Sequence, residues 1–365
     1  MNVEFDDGIF TRQVHGGISR YFIELSLGLS RRGEKVKFLA PFHVSRDLSG
    51  AFGVGIRVPH FRGLGPLIRG FNRHVNQVRL RSETEVGPRI FHETYYGTSL
   101  RLASNVRHVV TVHDMTHERF PGLIGKRDRT AALKKIAVEG ADHIICVSES
   151  TKADLIEILG VNENKVDVVY HGVTKLPEVS ENPERVANGW PFLLYVGQRG
   201  GYKNFYALAS AYARVDGMRD EMKLVCFGGG KWTSEEKRYF VNLGLDDSSV
   251  FQLGGTDQTL AQLYRDAIAL VYPSLYEGFG LPLLEAMSQG CPVLCSDTPA
   301  LREIADRAAL YFDPESEDDL RSQLSVIASS ESLRASLCGA GKRRSSEFSW
   351  EKCVNETCEV YASLL

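Results

Sequence analysis

Short apolar runs recur along the whole chain, each closed by a glycine-rich or polar turn and followed by a longer stretch with apolar residues at helical spacing. In the first half, Asn2–Phe5, Lys35–Ala40, Arg89–His92, Val109–Val112, His143–Val147 and Val166–Val169 read as strands. Between them fall an amphipathic helix over Gly17–Arg32, a helix near Arg129–Gly140 and one N-capped at Ser148. The segment 50–88 carries a basic, partly helical stretch. After a polar, Pro-containing stretch from Thr174 to Gly189 the pattern restarts, with strands Phe192–Val196, Lys223–Phe227, Ser249–Leu253, Ala267–Tyr272, Pro292–Cys295 and Leu310–Phe312. From about Glu315 the chain reads as helical, and Trp350, Val354, Cys358 and Tyr361 share one face of the last helix. Apolar strands that do not alternate with polar residues are buried on both faces, so alternating β and α elements predict an α/β chain. Its expected form is two Rossmann-like, doubly wound parallel sheets facing across a cleft. The expected divisions are 1–172, a linker at 173–190, a second domain at 191–345 and a C-terminal helix at 346–365.

Length and composition fit that picture: 365 residues with 43% hydrophobic content can fill two cores. No apolar run approaches the roughly 20 residues of a membrane-spanning helix. The N-terminus lacks the positive start and apolar body of a signal peptide, which leads to the expectation of a cytoplasmic protein. Seven cysteines, an odd number mostly inside apolar segments, are expected to be reduced and structural. The net charge of −3 conceals an asymmetry of +5 for residues 1–172 against −8 for the remainder. Part of the excess is local: Arg57, Arg62, Arg69, Arg73, Arg79 and Arg81 alternate with apolar residues, with no acid before Glu83. Two readings of 57–81 stay open, an anionic membrane surface at the inner face of the cell membrane and a helix packed on its own domain. A pI near 6.4 and the lack of a recognition motif argue against nucleic acid.

Candidate chemistry gathers at strand ends. The stretch Tyr276-Glu277-Gly278-Phe279-Gly280-Leu281-Pro282-Leu283-Leu284-Glu285-Ala286-Met287 turns from a buried strand into a helix. Gly278–Gly280 then lie where backbone N–H groups of a helix N-terminus attract phosphate. Glu277 and Glu285 frame that turn and suit sugar hydroxyls better than phosphate. Gly197-Gln198-Arg199-Gly200-Gly201-Tyr202-Lys203-Asn204-Phe205 sets two cations four residues apart before another helix. A departing diphosphate gains negative charge as its bond to a sugar breaks, so cations held against it favour the transition state. Gly16-Gly17 at the first strand-to-helix turn allows close backbone approach. His113-Asp114 ends a strand, where open α/β sheets bind ligands.

Taken together, these motifs resemble the retaining, family 4 (group 1) glycosyltransferases of the GT-B fold, in bacterial mannosyltransferase-like form. So do Gly16-Gly17-Ile18-Ser19-Arg20-Tyr21, Thr111-Val112-His113-Asp114, Ala141-Asp142, Val147-Ser148-Glu149-Ser150 and Val169-Tyr170-His171-Gly172-Val173. The resemblance implies an acceptor-side domain at 1–172, a nucleotide-sugar-binding domain at 191–345 and a C-terminal helix that returns to the first domain. It implies that Arg199 and Lys203 hold the donor diphosphate and that the Gly278, Phe279, Gly280 and Leu281 backbone faces donor phosphate and sugar. Glu277 would accept from sugar hydroxyls and Glu285 from ribose hydroxyls. Gly16 and Gly17 would close over the diphosphate, His113 would reach the sugar near the reacting carbon, and the base would sit by Gly228 and Thr256. Glu93 and Asp114 stay open between acceptor binding and loop capping. A nucleotide-diphosphate sugar is implied as co-substrate, with no cofactor and no divalent metal, since no Asp-x-Asp signature occupies a donor loop. The acceptor implied is a saccharide, free or lipid-linked, in bacterial surface-polysaccharide assembly, with mannose from GDP-mannose as the donor. The rival readings are a non-catalytic nucleotide-sugar sensor and a GT-B-type epimerase or phosphorylase.

Overall fold

The computed structural model describes residues 1–59, 61, 64–82, 87–97, 102–123, 125, 128–177 and 189–365, with backbone only for 79–82. The linker expectation at 173–190 falls largely, and Arg62 wholly, outside the described residues. Contacts divide the chain into two compact units, Met1–Gly172 with Ser349–Leu365, and Val173–Phe348.

The first unit opens with β1 (Asn2–Asp6), α1 (Gly17–Arg31), β2 (Lys35–Leu39), the two-residue strands β3 (Phe42–His43) and β4 (Ile56–Arg57) flanking α2 (Arg46–Phe52), and α3 (Leu64–Ser82). It continues through β5 (Arg89–Glu93), β6 (Val106–Val112), α4 (Thr116–Arg119), α5 (Thr130–Gly140), β7 (His143–Cys146), α6 (Glu149–Leu159) and β8 (Val166–Val168). The second holds β9 (Phe192–Val196), α7 (Phe205–Arg214), α8 (Met218–Glu221), β10 (Lys223–Phe227), α9 (Ser234–Asn242), β11 (Val250–Leu253), α10 (Asp257–Asp266) and β12 (Ala269–Tyr272). It ends with α11 (Leu281–Ser288), β13 (Val293–Ser296), α12 (Pro299–Ala305), β14 (Leu310–Phe312), α13 (Glu317–Ser329) and α14 (Glu331–Ser345), before α15 (Trp350–Leu364) closes the chain.

Each unit carries a six-stranded sheet, ordered β2-β1-β5-β6-β7-β8 and β11-β10-β9-β12-β13-β14. All pairs are parallel. Parallel strands need a crossover between them, and the helices that supply it bury both sheet faces. That explains why every residue of β5, β7, β12 and β13 is buried. The expected pair of doubly wound parallel sheets is therefore observed, one in each unit. Winding reverses between β1 and β5 in one sheet and between β9 and β12 in the other, and such reversals open a crevice at the carboxyl ends of the strands. The elements β3, α2 and β4 are not legible in the sequence, because a two-residue strand is too short to carry any periodicity.

As expected, α15 belongs to the first unit. Cys353, Val354, Cys358 and Tyr361 join Phe5, Phe22, Leu25, Val109 and Ile145 in its core. A buried polar chain ties the helix to the sheet. The Tyr361 hydroxyl lies 2.5 Å from His92 Nδ1, and His92 Nε2 lies 2.8 Å from Thr111 Oγ1. Buried polar groups hold their place only when partnered, so this chain fixes where α15 docks.

α1 packs tightly on α15 at Gly28, where an added Cβ would meet Val354 Cγ2 at 2.3 Å. Gly28→Ala gains up to about 1 kcal/mol of helix propensity, but overpacking against a branched side chain costs about 1–3 kcal/mol. The clash is expected to win. Chemical denaturation should show Gly28→Ala less stable than the wild type, and Val354→Ala in the same chain should recover part of the loss.

Candidate functional site

In the second unit the loops after β9 and β12 flank the winding reversal, and they are stitched together where the Leu275 N–H donates to the Tyr202 carbonyl at 2.8 Å. Lys203, at the end of a single 3₁₀ turn, brings Nζ to 2.5 Å from Glu277 Oε1 and 3.2 Å from the Tyr272 hydroxyl. Its ammonium also lies over the Tyr202 and Tyr272 rings, 5.1 and 5.3 Å from their centroids. Burial works against the ammonium, but the Glu277 carboxylate outweighs it, so Lys203 stays protonated well above the ordinary lysine range. Lys203 and Glu277, 74 residues apart, thus meet as one ion pair that remains partly open to solvent. α11 starts beside it at Gly280, whose φ of +103° is a left-handed conformation suited to glycine. The helix has no side-chain cap; Pro282 carries no N–H and the Leu283 N–H donates to the Gly280 carbonyl at 2.9 Å, which leaves the Leu281 N–H to meet an anion. Glu285, one turn inside, accepts from the Tyr264 hydroxyl at 3.2 Å and stays partly exposed. Phe279 packs edge-on against Phe348, with centroids 5.9 Å apart, and is buried with Gly278 and Gly280; Leu281 is partly exposed.

Arg199, expected to hold the donor diphosphate, has its donors engaged within its own unit in this structure. It is 5% exposed, its Nε donates to Glu236 Oε1 at 2.6 Å, and its Nη1 and Nη2 donate to the carbonyls of Gly228 and Gly230, each at 2.9 Å. The guanidinium also stacks on Trp232, 4.4 Å from the ring centroid. The reason is local. Past the end of β9 successive side chains still alternate faces, so Gln198 is exposed and Arg199 turns inward. There it holds the loop after β10, where Gly228, Gly229 and Gly230 all have positive φ and an added Cβ at Gly229 would meet Arg199 Nη1 at 2.4 Å. Arg199 is thus a positioning residue for the turn that contains Gly228. Thr256 lies exposed at the start of α10, where its hydroxyl accepts from the Thr259 N–H at 3.4 Å in a capping box.

In the first unit, Gly16 precedes α1 with extended backbone, and an added Cβ there would meet Gln13 Oε1 at 2.5 Å. That side chain in turn accepts from the Ser19 N–H at 3.3 Å. Gly17 is exposed. His113, one residue past β6, is 9% exposed and stacks on His171 with centroids 5.8 Å apart, with Tyr21 edge-on at 5.3 Å. Burial holds its imidazole down at about 4, so it is neutral near pH 7, and among the described residues Nε2 has no hydrogen-bond partner. Asp114 Oδ1 accepts from the Thr116 N–H at 2.9 Å and so closes a turn. Glu93 is 1% exposed, accepting from the Gly97 N–H at 2.9 Å with one oxygen and lying 3.0 Å from His108 Nε2 with the other. Asp114 and Glu93 therefore do loop-capping and ion-pairing work in this structure.

Sequence reasoning passed over Tyr272, Tyr264, Glu236, Tyr21 and Trp232. The tyrosines read as core positions of strands or helices, and nothing in their spacing signals that each hydroxyl or ring faces a charged or imidazole partner.

The profile described as "Glycosyl transferases group 1" matches residues 178–344, and that described as "Glycosyltransferase Family 4" matches residues 15–175. The O-antigen chain mannosyltransferase B of Escherichia coli is 29% identical over 286 residues, covering 74% of this chain and 74% of that protein. An uncharacterized glycosyltransferase of Methanocaldococcus jannaschii is 30% identical over 318 residues, covering 84% of each chain. Among solved structures, sucrose-phosphate synthase from Thermosynechococcus elongatus superposes with a TM-score of 0.79 at 21% identity, over 100% of this chain and 98% of that one.

Two measurements separate the roles argued above. Arg199→Ala leaves Glu236 buried without its partner and should lower stability by about 3–5 kcal/mol in denaturant titration; full stability with weakened nucleotide binding would instead return Arg199 to the diphosphate. For His108, burial opposes the charged ring but Glu93 outweighs it, so its pKa is raised. The stability this pair contributes is therefore fully present below about pH 6.5 and is lost as pH rises through the raised value. Accordingly, Glu93→Gln should cost more stability at about pH 5.5 than at about pH 8.5, and a pH-independent cost would show the pair to be uncharged.

Proposed function

The chain belongs to the family 4, group 1 glycosyltransferases, and on that premise we propose that it is a retaining hexosyltransferase. It moves mannose from GDP-mannose to a saccharide acceptor, carried on a lipid, in the assembly of a bacterial surface polysaccharide. The observation that carries this reading is the Lys203–Glu277 pair set between β9 and β12, beside the uncapped N-terminus of α11. The likeness to the Escherichia coli O-antigen chain mannosyltransferase B supports the choice of sugar and pathway class.

The chemistry asked of these groups is electrostatic. As the bond from C1 of the sugar to the diphosphate oxygen breaks, negative charge grows on that oxygen, and the Lys203 ammonium and the Leu281 N–H at the start of α11 are stronger partners for it than for the intact donor. Glu277 keeps Lys203 charged and oriented and accepts from a sugar hydroxyl. The acceptor oxygen forms its bond to C1 from the face the diphosphate leaves, and the acceptor's proton passes to the departing diphosphate, so configuration is retained. No metal is required for that balance, because the ammonium and helix N-terminus meet the developing charge. Glu285 takes the ribose hydroxyls. His113 offers the sugar a neutral imidazole, which donates or accepts a hydrogen bond near pH 7 without carrying charge. No helix among the described residues is long and apolar enough to cross a membrane. The exposed apolar residues Ile56, Phe61, Leu67 and Phe71 beside the basic segment 57–81 support a peripheral contact with the inner membrane face.

Thermal-shift measurements against GDP-, UDP-, ADP- and dTDP-sugars should single out GDP-mannose, since a ligand that binds only the folded state raises stability. Lys203→Ala should reduce turnover by about a hundredfold or more, and Glu277→Gln should do so with folding intact. Near-wild-type turnover in either variant would remove that residue from the site. A chain that binds donor tightly yet transfers to no acceptor would be a sensor.

A further inference from the structure

The winding reversal of the first unit, between β1 and β5, also opens a crevice. A cavity of about 260 Å³ lies there, lined by the loop after β1 (Asp7, Gly8, Arg12), by Gly97 after β5 and by the inner face of α3. Three arginines are among its lining residues: Arg12, Arg69 and Arg73. Whole small-molecule sites run to about 300–1,000 Å³, so this volume suits a head group rather than a sugar nucleotide.

The charge is built in and left uncompensated. Arg12 is fixed by its own loops, Nη1 donating to the Gly8 carbonyl at 2.7 Å and Nη2 to the Tyr96 carbonyl at 3.3 Å, with the Tyr95 ring centroid 4.9 Å away. Among the described residues no carboxylate lies within ion-pair distance of any of the three arginines. The acid closest at hand is Asp7, buried and accepting from Asn72 Nδ2 at 2.7 Å. Burial pushes its carboxyl up to about 6, which blunts its charge near neutrality. Arg69 is disfavoured as a cation by burial and by the neighbouring Arg12, with Asp7 giving partial relief. Grouping like charges in a partly buried cavity is costly unless an anion completes it, and arginine forks match phosphoryl oxygens two at a time. The cavity adjoins the candidate chemistry of this unit, since the Tyr96 hydroxyl hydrogen-bonds the backbone at His113.

We propose that this cavity is a phosphoryl-binding subsite for the acceptor, in which Arg12, Arg69 and Arg73 hold the phosphate or diphosphate that carries the acceptor saccharide. The identity of the ligand as an acceptor rests on the transferase reading above; the anion site itself does not. Asn76 and Gly97 border the cavity as well, so the bound group meets a polar wall.

The test uses the full-length protein, the Arg69→Gln/Arg73→Gln double variant and the Arg69→Lys/Arg73→Lys control, with thermal unfolding as the check on folding. Inorganic pyrophosphate is titrated calorimetrically in a Lys203→Ala background, which removes the competing cation of the second unit. Binding should weaken about tenfold or more in the Gln variant and be largely kept by the Lys variant. No binding in the parent, or unchanged binding in the Gln variant, overturns the subsite. Transfer kinetics in the chain with Lys203 intact then compare a soluble glycosyl diphosphate, a lipid-diphosphate-linked saccharide and the free saccharide. KM for both phosphorylated acceptors should rise about tenfold in the Gln variant, with kcat within about twofold and the KM values of free saccharide and donor unchanged. A rise confined to lipid-linked acceptor in vesicles would assign the arginines to the bilayer surface and overturn the pocket. Arginine-dependent pyrophosphate binding without sugar transfer to any acceptor would refute the transferase reading and leave the anion subsite standing.

Discussion

Parallel pairing is the constraint from which the rest of this molecule follows. A strand that must run alongside its predecessor can be reached only by a crossover, so every loop that leaves a carboxyl end lies on the same edge of its sheet. Where the winding reverses, neighbouring loops turn away from each other and leave a crevice. Both units obey this rule, each with one winding reversal in a six-stranded parallel sheet, and both crevices are where the cations collect: Lys203 in one, and Arg12 with Arg69 and Arg73 in the other. The chemistry is placed by topology first and by side-chain identity second.

What distinguishes these cations is how their burial is compensated. A buried charge needs a partner, and the partner decides what else the charge can do. Arg199 is matched by Glu236 and by carbonyls of the loop it braces, so its donors are spent inside the unit. Lys203 has a single carboxylate partner, an aromatic floor and residual exposure, an arrangement that keeps it charged while leaving a face for an incoming anion. In the first unit Arg12 has backbone and aromatic contacts, and among the described residues neither it nor Arg69 or Arg73 has a carboxylate within ion-pair distance. Three levels of compensation suit three jobs, of which bracing a turn is seen in the contacts of Arg199, while meeting a developing charge and holding a ligand are the roles proposed for Lys203 and for the three arginines.

Much of this was legible in the sequence, and the contacts that were not share one cause. Buried strands such as Phe192–Val196 and Ala269–Tyr272 announce themselves through unbroken apolar runs, and the turns after them through glycine, so the two sheets could be written down in advance. The pairing of Lys203 with Glu277 could be anticipated only as membership of one site, because a contact across 74 residues has no local signature. Arg199 shows the limit most clearly. One residue of phase at the end of β9 decides whether a side chain faces ligand or core, and a loop boundary is known from sequence only to within a residue or two. Glu93 and Asp114 fall to the same limit, since their partners His108 and Thr116 are set by strand register and turn geometry. Within the basic segment 57–81, composition alone could not tell that Arg69 and Arg73 line a cavity while Leu67 and Phe71 stay exposed on the same helix.

The state of His113 bears on how the proposed transfer handles its proton. A histidine that is to act as a base near neutrality needs a partner that stabilises its protonated form, commonly a carboxylate on the second ring nitrogen. Here the ring is enclosed by Tyr21, Phe22 and a second imidazole, His171, and burial outweighs the nearby Asp114. Protonating it would place charge against another ring that burial also keeps neutral. The same surroundings make a neutral imidazole rigid, which is what a hydrogen bond to a sugar hydroxyl requires. The proton of the acceptor hydroxyl then has a better destination in the departing diphosphate, whose basicity grows as the bond to carbon breaks. In the proposed transfer, then, the charge held on Lys203 serves the leaving group, and the neutral His113 takes no proton, so proton transfer follows the charge.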